Sequence, residues 1–501
     1  MSPDLSLLIR AGHPVIAIES TDEDRAMGLI AAVGAELPRP VTDWSLTKGL
    51  RELNTSTLVF GNVLVPPGPP TAALEHVLRS ADHSIHVFRD LGPHSRDVKV
   101  HRLLRDFPAV GRERQGTLVL LESLPLPMEL RRLALIHEIG WPSAAELEQV
   151  VRETYQRIKA ASLYEVTSRV TRREMEQLIQ ALRGLTLSEA ERVIASAIHQ
   201  DHSLRGDDLP RIIETKRRLL GSAGVLESVA ADFASEDIGG LENLKRWLTQ
   251  RREGYSQKAR EFGLEPPRGV LILGVQGCGK SLCAKVVAAD WKMPLLRLDP
   301  GMLYQKFIGE SERHLRDALR QAEAMAPVIL WIDEIEKAFA SATGESADGG
   351  LSQRMFGTLL TWMQDHRHPI FIVATANDIS RLPPELLRKG RFDEVFFVDL
   401  PGLEARRRIL SIHLQRRRRQ PEQFDLERLA QLTAGFSGAE IEQLIQAGLY
   451  DAFTASSELT TEHLLRQRQG TRSLAEMMPE RLAELRAWSA DRCVPADAET
   501  A

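Results

Sequence analysis

The sequence has few cysteines, few aromatic residues and no long apolar run. Its 501 residues include three cysteines without paired spacing, Cys278, Cys283 and Cys493, which argues for a reducing compartment and against a disulfide framework. No stretch approaches the roughly 18 apolar residues that a membrane-crossing helix needs. The first residues also lack the basic and apolar regions of a secretory signal. We therefore expect a cytoplasmic protein that has no membrane partner.

The sequence also has no large excess of positive or negative charge. Lys and Arg number 64 and Asp and Glu 69, so the net charge of -5 gives no general reason to bind nucleic acid. Two arginine runs, 406–408 and 416–419, are interpreted as a solvated helix face, and contact with nucleic acid is the alternative that stays open. A chain of this length should divide into several domains, because single hydrophobic cores stop growing earlier.

A glycine-rich phosphate-binding loop is the most informative motif that is present. The pattern G-x-x-x-x-G-K-[ST] follows the apolar segment 270–273 and precedes an amphipathic stretch, 282–289. In such a strand–loop–helix arrangement, backbone N–H groups and a helix N-terminus bind phosphates. Lys280 is expected to reach the β- and γ-phosphates, and the Ser281 hydroxyl to bind Mg²⁺. The nucleotide-binding residues predicted here are Gly274, Gln276, Gly277, Cys278, Gly279, Lys280, Ser281 and Leu282.

Two acids follow the apolar run 328–332, namely Asp333 and Glu334. A fully buried parallel strand has such a continuous apolar sequence, and its carboxyl end opens onto the ligand crevice. We predict that Asp333 holds Mg²⁺, directly or through water, and that Glu334 polarises the attacking water. A strand that merely ends in a polar turn is the alternative, which the upstream loop at βαβ spacing disfavours.

Three further polar residues are candidates for catalysis. Asn377 follows a second apolar strand, 370–374, where it could orient the lytic water, although an asparagine at a strand end is usually a turn former. Arg388 and Arg391 flank a glycine bend. In isolation they would form a solvated basic turn, but beside a nucleotide site they are candidate arginine fingers, which stabilise transition-state charge.

These motifs, in this order, resemble the ATPase module of the AAA family between Asp237 and Asp451. Residues 236–241 match the opening motif of the clade that holds the proteasomal ATPases, spastin and the membrane-bound AAA proteases, and residues 435–440 match a motif of its helical lid. The resemblance implies an enzyme that uses ATP and Mg²⁺ and assembles as a homo-hexameric ring. It also implies that the backbone of Ile238 and Gly239 lies against adenine.

The same resemblance assigns roles across subunits and at the centre of the ring. Arg388 and Arg391 would act on the ATP of a neighbouring subunit. Lys306, Phe307, Ile308 and Gly309 resemble the family's pore loop, in which a large side chain grips an extended protein and a glycine lets the loop move. A buried Phe-Ile pair at the start of a helix is the alternative, which the matching residues that follow, 310–312, disfavour.

The first 200 residues alternate between apolar strands and amphipathic helices, which predicts an α/β layer with a parallel sheet. Strands are predicted at 15–18, 57–60, 85–88 and 117–121, and helices at 22–34 and 128–136. His137 and Glu138 begin like a zinc-protease signature, but Trp141 occupies the position of its second histidine, so neither a metal nor protease activity is predicted.

An internal repeat links the two halves, since residues 184–194 align with residues 435–445. If the repeat reflects homology, the first half is a second AAA module without a phosphate loop, because residues 19–24 contain four acids and no glycine. Such a degenerate module ahead of an intact one, together with the stretch 474–492, resembles a cyanobacterial and plastid-encoded AAA family. That resemblance implies the plastid stroma as the location in plastid-encoded relatives and a link to inorganic-carbon use.

The predicted fold is therefore α/β: a P-loop AAA sheet with a C-terminal helical lid, preceded by a degenerate AAA-like α/β domain. The predicted domains are a degenerate module at 1–200, a linker at 201–235, the ATPase subdomain at 236–401, the lid at 402–470 and a helical tail at 471–501. The predicted function is remodelling or threading of a protein substrate. A nucleotide-switched scaffold and a nucleic-acid motor are the alternatives.

One cysteine adds a hypothesis about control. Cys278 lies inside the phosphate loop, at the N-terminus of a predicted helix, where a thiol has a lowered pKa and oxidises more easily. Oxidation there would block ATP binding. A small side chain that is merely tolerated at a variable position is the simpler interpretation.

Overall fold

The computed structural model describes residues 4–20, 22–80, 82–162, 164–223, 225–230, 233–299, 310–339, 351–379, 382–388 and 390–498. The chain forms two compact units, 1–206 and 207–501. Each unit contains one large sheet. Among the described helices, none has both the length and the apolar character that crossing a membrane requires.

The first unit begins with a seven-stranded sheet in the order β4-β3-β2-β5-β6-β1-β7. Its elements are α1 (Leu5–Arg10), β1 (Val15–Glu19), α2 (Glu23–Glu36), β2 (Val41–Ser45), β3 (Gly49–Leu53), β4 (Phe60–Val65), α3 (Pro70–Ser80), β5 (Ile85–Arg89), α4 (Val98–Arg114), β6 (Thr117–Glu122), α5 (Met128–Arg131) and β7 (Leu135–His137). Two separate apolar clusters, one on each face, bury its central strands. This confirms the α/β layer that the alternation predicts.

A smaller helical part completes this unit. It consists of α6 (Ala144–Ala161), β8 (Thr167–Arg169), α7 (Arg172–Leu182), α8 (Leu187–Asp201) and β9 (Ser203–Arg205), and the two short strands pair in parallel. Helix α8 has a capping box, in which the Thr186 side chain accepts from the Glu189 backbone N–H and Glu189 binds back.

Two predicted elements of this unit are wrong. The strand predicted at 57–60 overlaps β4 only at Phe60, because residues 55–57 form a turn in which the Asn54 side chain accepts hydrogen bonds from the backbone N–H groups of Ser56 and Thr57. The helix predicted at 128–136 ends at Arg131, and Leu135 begins a strand that pairs with β1 instead. A short apolar run fits both the 3.6-residue period of a helix and the two-residue period of a strand, so pairing with β1 decides between them.

The second unit contains a seven-stranded sheet in the order β10-β12-β13-β14-β11-β15-β16. Its elements before the lid are α9 (Leu209–Ala223), β10 (Leu226–Val229), α10 (Glu242–Arg251), α11 (Gln257–Glu261), β11 (Gly269–Gly274), α12 (Lys280–Trp291), β12 (Leu295–Leu298), α13 (Glu310–Met325), β13 (Val328–Ile332), α14 (Ile335–Phe339), α15 (Leu351–Asp365), β14 (Ile370–Ala376) and β15 (Glu394–Val398). Every residue of β11, β13 and β14 is buried, which explains their continuous apolar sequences.

A helical lid and a terminal segment follow. The lid comprises α16 (Leu403–Arg416), α17 (Leu426–Leu432), α18 (Gly438–Thr454) and α19 (Thr461–Gly470), and the terminal segment comprises α20 (Leu474–Met477), α21 (Pro479–Ser489) and β16 (Val494–Pro495). Strand β16 pairs in parallel with β15 at the edge of the sheet, a position where proline is tolerated. The lid has its own apolar core.

The two sheets share a topology. The order β2-β5-β6-β1-β7 in the first sheet and the order β12-β13-β14-β11-β15 in the second are parallel throughout. The repeat at 184–194 and 435–445 opens a helix with a capping box in both units, and Gly184 and Gly435 both have positive φ, 80° and 77°. The first unit therefore repeats the sheet topology and the capped helix of the second unit, as the repeat predicts.

Candidate functional site

The phosphate loop lies between β11 and α12, where the motif predicts it. Gly274, Gly277 and Gly279 have φ values of 138°, 77° and 86°, which side chains rarely tolerate. A Cβ on Gly274 would also collide with the backbone of Val398 on the adjacent strand. Gln276 is exposed, and Leu282 is half-buried against the apolar core of the sheet. The loop therefore has the sharp bends that turn successive N–H groups toward a phosphate.

Lys280 is buried at the start of α12 and folds back onto the loop. Its Nζ donates to the carbonyl oxygens of Gly274 at 2.8 Å and Val275 at 2.7 Å. Burial lowers its pKa to about 8. In this conformation the amine binds the loop itself, so it must exchange these partners for phosphate oxygens when a nucleotide binds.

Ser281 and Asp333 meet across the crevice between the loop and the end of β13. The Ser281 hydroxyl donates to Asp333 Oδ1 at 3.0 Å, and the Thr375 hydroxyl donates to the same oxygen at 2.5 Å. The Arg297 guanidinium lies 3.9 Å from Asp333 Oδ2. A hydroxyl and a carboxylate side by side are oxygen ligands of the kind that Mg²⁺ takes together with substrate phosphates, so these residues fit a magnesium ion.

Glu334 and Asn377 are brought together at the ends of β13 and β14. Asn377 Nδ2 donates to Glu334 Oε1 at 3.0 Å, while Lys337 Nζ lies 2.6 Å from Glu334 Oε2. The Glu334 backbone has a φ of 50°, in the left-handed region, and its N–H donates to the Thr375 hydroxyl at 3.1 Å. The two predicted catalytic side chains therefore hold each other beside the Ser281–Asp333 pair.

Glu336 is a site residue that no motif singled out. It is 2% exposed, and its Oε1 accepts the Asn377 backbone N–H at 3.0 Å. Burial raises the pKa of this carboxyl. A third acid two residues after Glu334 is the sequence signal that could have found it. By fixing the Asn377 backbone, Glu336 also helps to fix the side chain that binds Glu334.

The two candidate arginine fingers differ. Arg388 is exposed. Arg391 is 8% exposed and donates to the backbone carbonyl of Glu385, and burial lowers the pKa of its guanidinium. Arg388 is thus accessible to another molecule, whereas Arg391 binds its own chain in this conformation. The predicted pore loop, Lys306 to Gly309, lies outside the described residues.

Cys278 does not have the acidic thiol that its position predicts. Burial raises the pKa of this thiol to about 12. The lid covers the loop at this point, since the Ala439 N–H donates to the Gly277 carbonyl at 3.0 Å. Desolvation of the thiol opposes the effect of the helix N-terminus, which disfavours the redox hypothesis and favours the simpler interpretation.

A cavity of about 330 Å³ lies beside the phosphate loop, and we name it the adenine-side cavity because the opening motif that is expected to contact adenine lines it. Gly239, Cys278 and Gly438 line it, one residue each from the opening motif, the phosphate loop and the lid. Ile238 is buried beside this cavity, and its carbonyl accepts Lys245 Nζ at 2.8 Å. The volume is within the range of small-molecule sites.

The corresponding edge of the first sheet carries different chemistry. Asp90, just after β5, corresponds to Glu334, just after β13, and both residues have a φ of 50°. The Asp90 carboxylate accepts a hydrogen bond from the Ser123 hydroxyl at 2.6 Å, as the Glu334 carboxylate accepts one from the Asn377 amide. Arg89 therefore occupies the position of Asp333. Its Nε lies 2.6 Å from the fully buried Asp43.

The prediction of a solvated face is wrong for Arg406 of the first arginine run, which is buried and donates to the backbone carbonyls of Ala430 and Pro401. Three arginines of the run 416–419 are paired with acids, Arg416 with Asp237, Arg417 with Glu442 and Arg419 with Glu458. His137 ends a short strand rather than lying on a helix. Across the described ranges, no group of three His, Cys, Asp or Glu residues is arranged to hold a metal ion.

Family models match four parts of the chain. The ATPase family associated with various cellular activities (AAA) matches residues 270–400, and the AAA+ lid domain matches residues 423–465. The N-terminal domain and the second domain of SpoVK-like AAA ATPases match residues 1–139 and 145–223.

Relatives match the chain over two different spans. The AAA domain-containing protein ycf46 of Pyropia yezoensis is 34% identical over 493 residues, 97% of each chain. Its namesake from Guillardia theta is 35% identical over 492 residues, 97% of this chain and 94% of the relative. The proteasome-activating nucleotidase of Methanosarcina mazei is 33% identical over 283 residues, 54% of this chain and 67% of the relative. The chain belongs to the AAA ATPase family, in the group that joins SpoVK-like N-terminal domains to one AAA module and its lid.

Proposed function

We propose that this chain is an ATP-hydrolysing ring ATPase that remodels or threads a protein substrate. The observation that carries the proposal is the Glu334–Asn377 hydrogen bond of 3.0 Å, beside the Ser281–Asp333 pair and the glycine loop. A carboxylate held by an amide, next to a phosphate-binding loop, can accept a proton from a water that attacks a phosphoryl group.

In the proposed mechanism, the chain's own residues bind, orient and remove a proton. The loop N–H groups and Lys280 would bind the phosphates, and Ser281 and Asp333 would hold Mg²⁺. That ion, when bound, neutralises charge on the phosphate oxygens. Glu334 polarises the water that Asn377 orients. Arg388 is the exposed residue that a neighbouring subunit in a hexamer would present, and Arg391 would join it once released from Glu385.

A protein substrate is the proposal that the relatives favour. The nucleotidases that match the second unit are named for activating a proteasome. The loop from Lys306 to Gly309 would grip the substrate in the centre of the ring. The arginines at 416, 417 and 419 are engaged with acids, which disfavours the alternative of a nucleic-acid motor. A role in inorganic-carbon use stays a prediction of the resemblance.

The experiment is a pair of variants of the full chain. Glu334→Gln should bind ATP with wild-type affinity, assemble into rings and lose turnover, so that substrates trapped on it co-purify from cells. Phe307→Ala should keep ATP turnover but lose the remodelling of the substrate, because the side chain that grips it is removed. Turnover near the wild-type rate in Glu334→Gln would refute the site, whereas full biological activity of Phe307→Ala would favour the nucleotide-switched scaffold.

A further inference from the structure

The adenine-side cavity has a wall that the AAA motifs do not supply. The terminal segment, residues 474–498, contributes Arg486, Ser489, Cys493 and Asp497 to its lining. These residues face the same space as Gly239 and Cys278. We propose that the terminal segment closes the nucleotide pocket and controls how long the nucleotide stays bound, an inference that rests on the proposed ATPase function.

The segment is attached to the opening motif by backbone hydrogen bonds. The Ala496 carbonyl accepts the N–H groups of Asn243 and Leu244, both at 3.1 Å, and the Asp497 carboxylate accepts the Leu241 N–H at 3.0 Å. Helix α10 has no side-chain cap of its own, so Asp497 supplies the capping carboxylate from the other end of the unit. The last residue of the opening motif and the start of α10 are thus held by Ala496 and Asp497.

A second attachment joins the segment to the sheet. Arg486 binds Asp399, the residue after β15, through two hydrogen bonds, 2.7 Å from Nε to Oδ2 and 3.1 Å from Nη2 to Oδ1. The Asp399 side chain is 12% exposed. A bidentate pair of this kind fixes the orientation of α21 over the cavity.

A third attachment reaches the phosphate loop and the lid. Leu482 of α21 packs in one apolar cluster with Val275 of the loop and Leu400. Ala475 approaches Gly435 so closely that a Cβ on the glycine would lie 2.9 Å from the Ala475 methyl. The segment therefore contacts the opening motif, the sheet, the phosphate loop and the lid, and a nucleotide in the cavity could leave on this side only if the segment opened.

The dissociation rate of a nucleotide tests this directly. The probe is ribose-labelled fluorescent ADP with Mg²⁺, bound to the full-length protein and displaced by excess unlabelled ADP. Arg486→Gln should release the probe about fivefold faster, because one bidentate attachment is lost. Glu484→Gln is the matched control: it also removes one charge from α21, but its side chain is exposed, and it should release the probe at the wild-type rate.

A second variant fills the cavity instead of loosening its wall. Cys493→Phe should weaken probe binding at least about tenfold, because a larger side chain would occupy the space of the base, whereas Ala487→Phe, at an exposed position of α21 outside the lining, should leave it unchanged. Saturating Mg-ADP should also slow alkylation of Cys493, measured by mass spectrometry, and should fail to do so in Lys280→Ala.

The outcomes separate this inference from the proposed function. If the wild type binds the probe, Lys280→Ala does not, and Arg486→Gln and Cys493→Phe behave as the wild type, the terminal segment is not a wall of the pocket while the ATP site stands. If the wild type fails to bind the probe, both proposals are wrong.

Discussion

The crevice edges of the two sheets carry an ion pair at the same positions with the charges reversed. In the second sheet, Arg297 on β12 faces Asp333, which follows β13. In the first sheet, Asp43 on β2 faces Arg89, at the end of β5. The register supports this equivalence, because Arg297 lies opposite the residue two before Asp333, and Asp43 opposite the residue two before Arg89.

The reversal is a physical reason to expect Mg-nucleotide at the second sheet and not at the first. An arginine in place of Asp333 offers no oxygen to a metal ion, and its charge is already neutralised by Asp43 and by Glu23 at 3.0 Å. The connection also differs in length, since residues 20–22 join β1 to α2 whereas residues 275–279 join β11 to α12. The first unit keeps the topology and has replaced the phosphate chemistry with an internal ion-pair network.

Breaking the network should reveal how much the first unit depends on it. Asp43 is fully buried between Arg89 and Arg51, so Asp43→Ala would remove the carboxylate that both guanidinium groups bind, leave Arg89 with Glu23 alone and cost about 4 kcal/mol of local stability. The matched change, Arg297→Ala, removes a half-exposed pair at 3.9 Å and should cost less than about 1 kcal/mol. Hydrogen exchange of the amides in β2, β5, β12 and β13 measures both, and equal costs would contradict the comparison.

The first unit should also lose stability as pH rises, through Glu122. Burial raises the pKa of this carboxyl to about 7, against the opposing hydrogen bonds from the Gly92 N–H at 2.9 and 3.0 Å. The folded state therefore binds more protons than the unfolded state between about pH 4.5 and 7, and stability falls through that window by up to about 3 kcal/mol. Glu122→Gln should abolish the fall, as exchange of β6 amides at pH 5 and pH 8 would show.

An unchanged pH dependence in Glu122→Gln would mean that another group is responsible. The corresponding position of the second sheet is Ala376, which cannot titrate, so any pH dependence of β14 in the same experiment should come from Glu336, whose pKa burial also raises.

Asn377 and Ser123, which bind Glu334 and Asp90, should differ in their effect on ATP turnover. Asn377→Ala removes the amide that holds Glu334 and should lower ATP turnover about 100-fold, the usual cost of one well-placed hydrogen-bond donor. Ser123→Ala removes the equivalent contact to Asp90 and should leave turnover unchanged. Steady-state phosphate release measures both, and a large loss in Ser123→Ala would make the first unit part of the catalytic machinery.

The smallest expected effect is one that the two units should share. Thr186→Ala and Ser437→Ala each remove the hydroxyl of a capping box and should each cost about 1 kcal/mol in α8 and α18. Hydrogen exchange of the first turns of these helices is the measurement. A cost confined to one helix would weaken the structural equivalence of the repeat.

The fold and the nucleotide loop were predictable because their signals are local. Buried parallel strands read as apolar runs, and the glycines at 274, 277 and 279 mark bends that few other residues can adopt. The paired acids at 333 and 334 were predictable for the same reason, since they follow directly on such a run.

What the sequence could not predict depends on contacts between distant segments. The inward turn of Arg391, the partial burial of Cys278 and the hydrogen bond from Leu241 to Asp497 each need tertiary packing. The charge reversal between Asp43–Arg89 and Arg297–Asp333 becomes visible only when the two registers are compared.

The number of nucleotides bound per chain tests the central claim, that one of two similar sheets keeps the site. Calorimetric titration of Glu334→Gln with Mg-ATP avoids turnover and counts every site. We expect one nucleotide per chain, lost completely in the double variant that also carries Lys280→Ala. Two nucleotides per chain, or one that survives Lys280→Ala, would place a working site in the first unit and contradict the account.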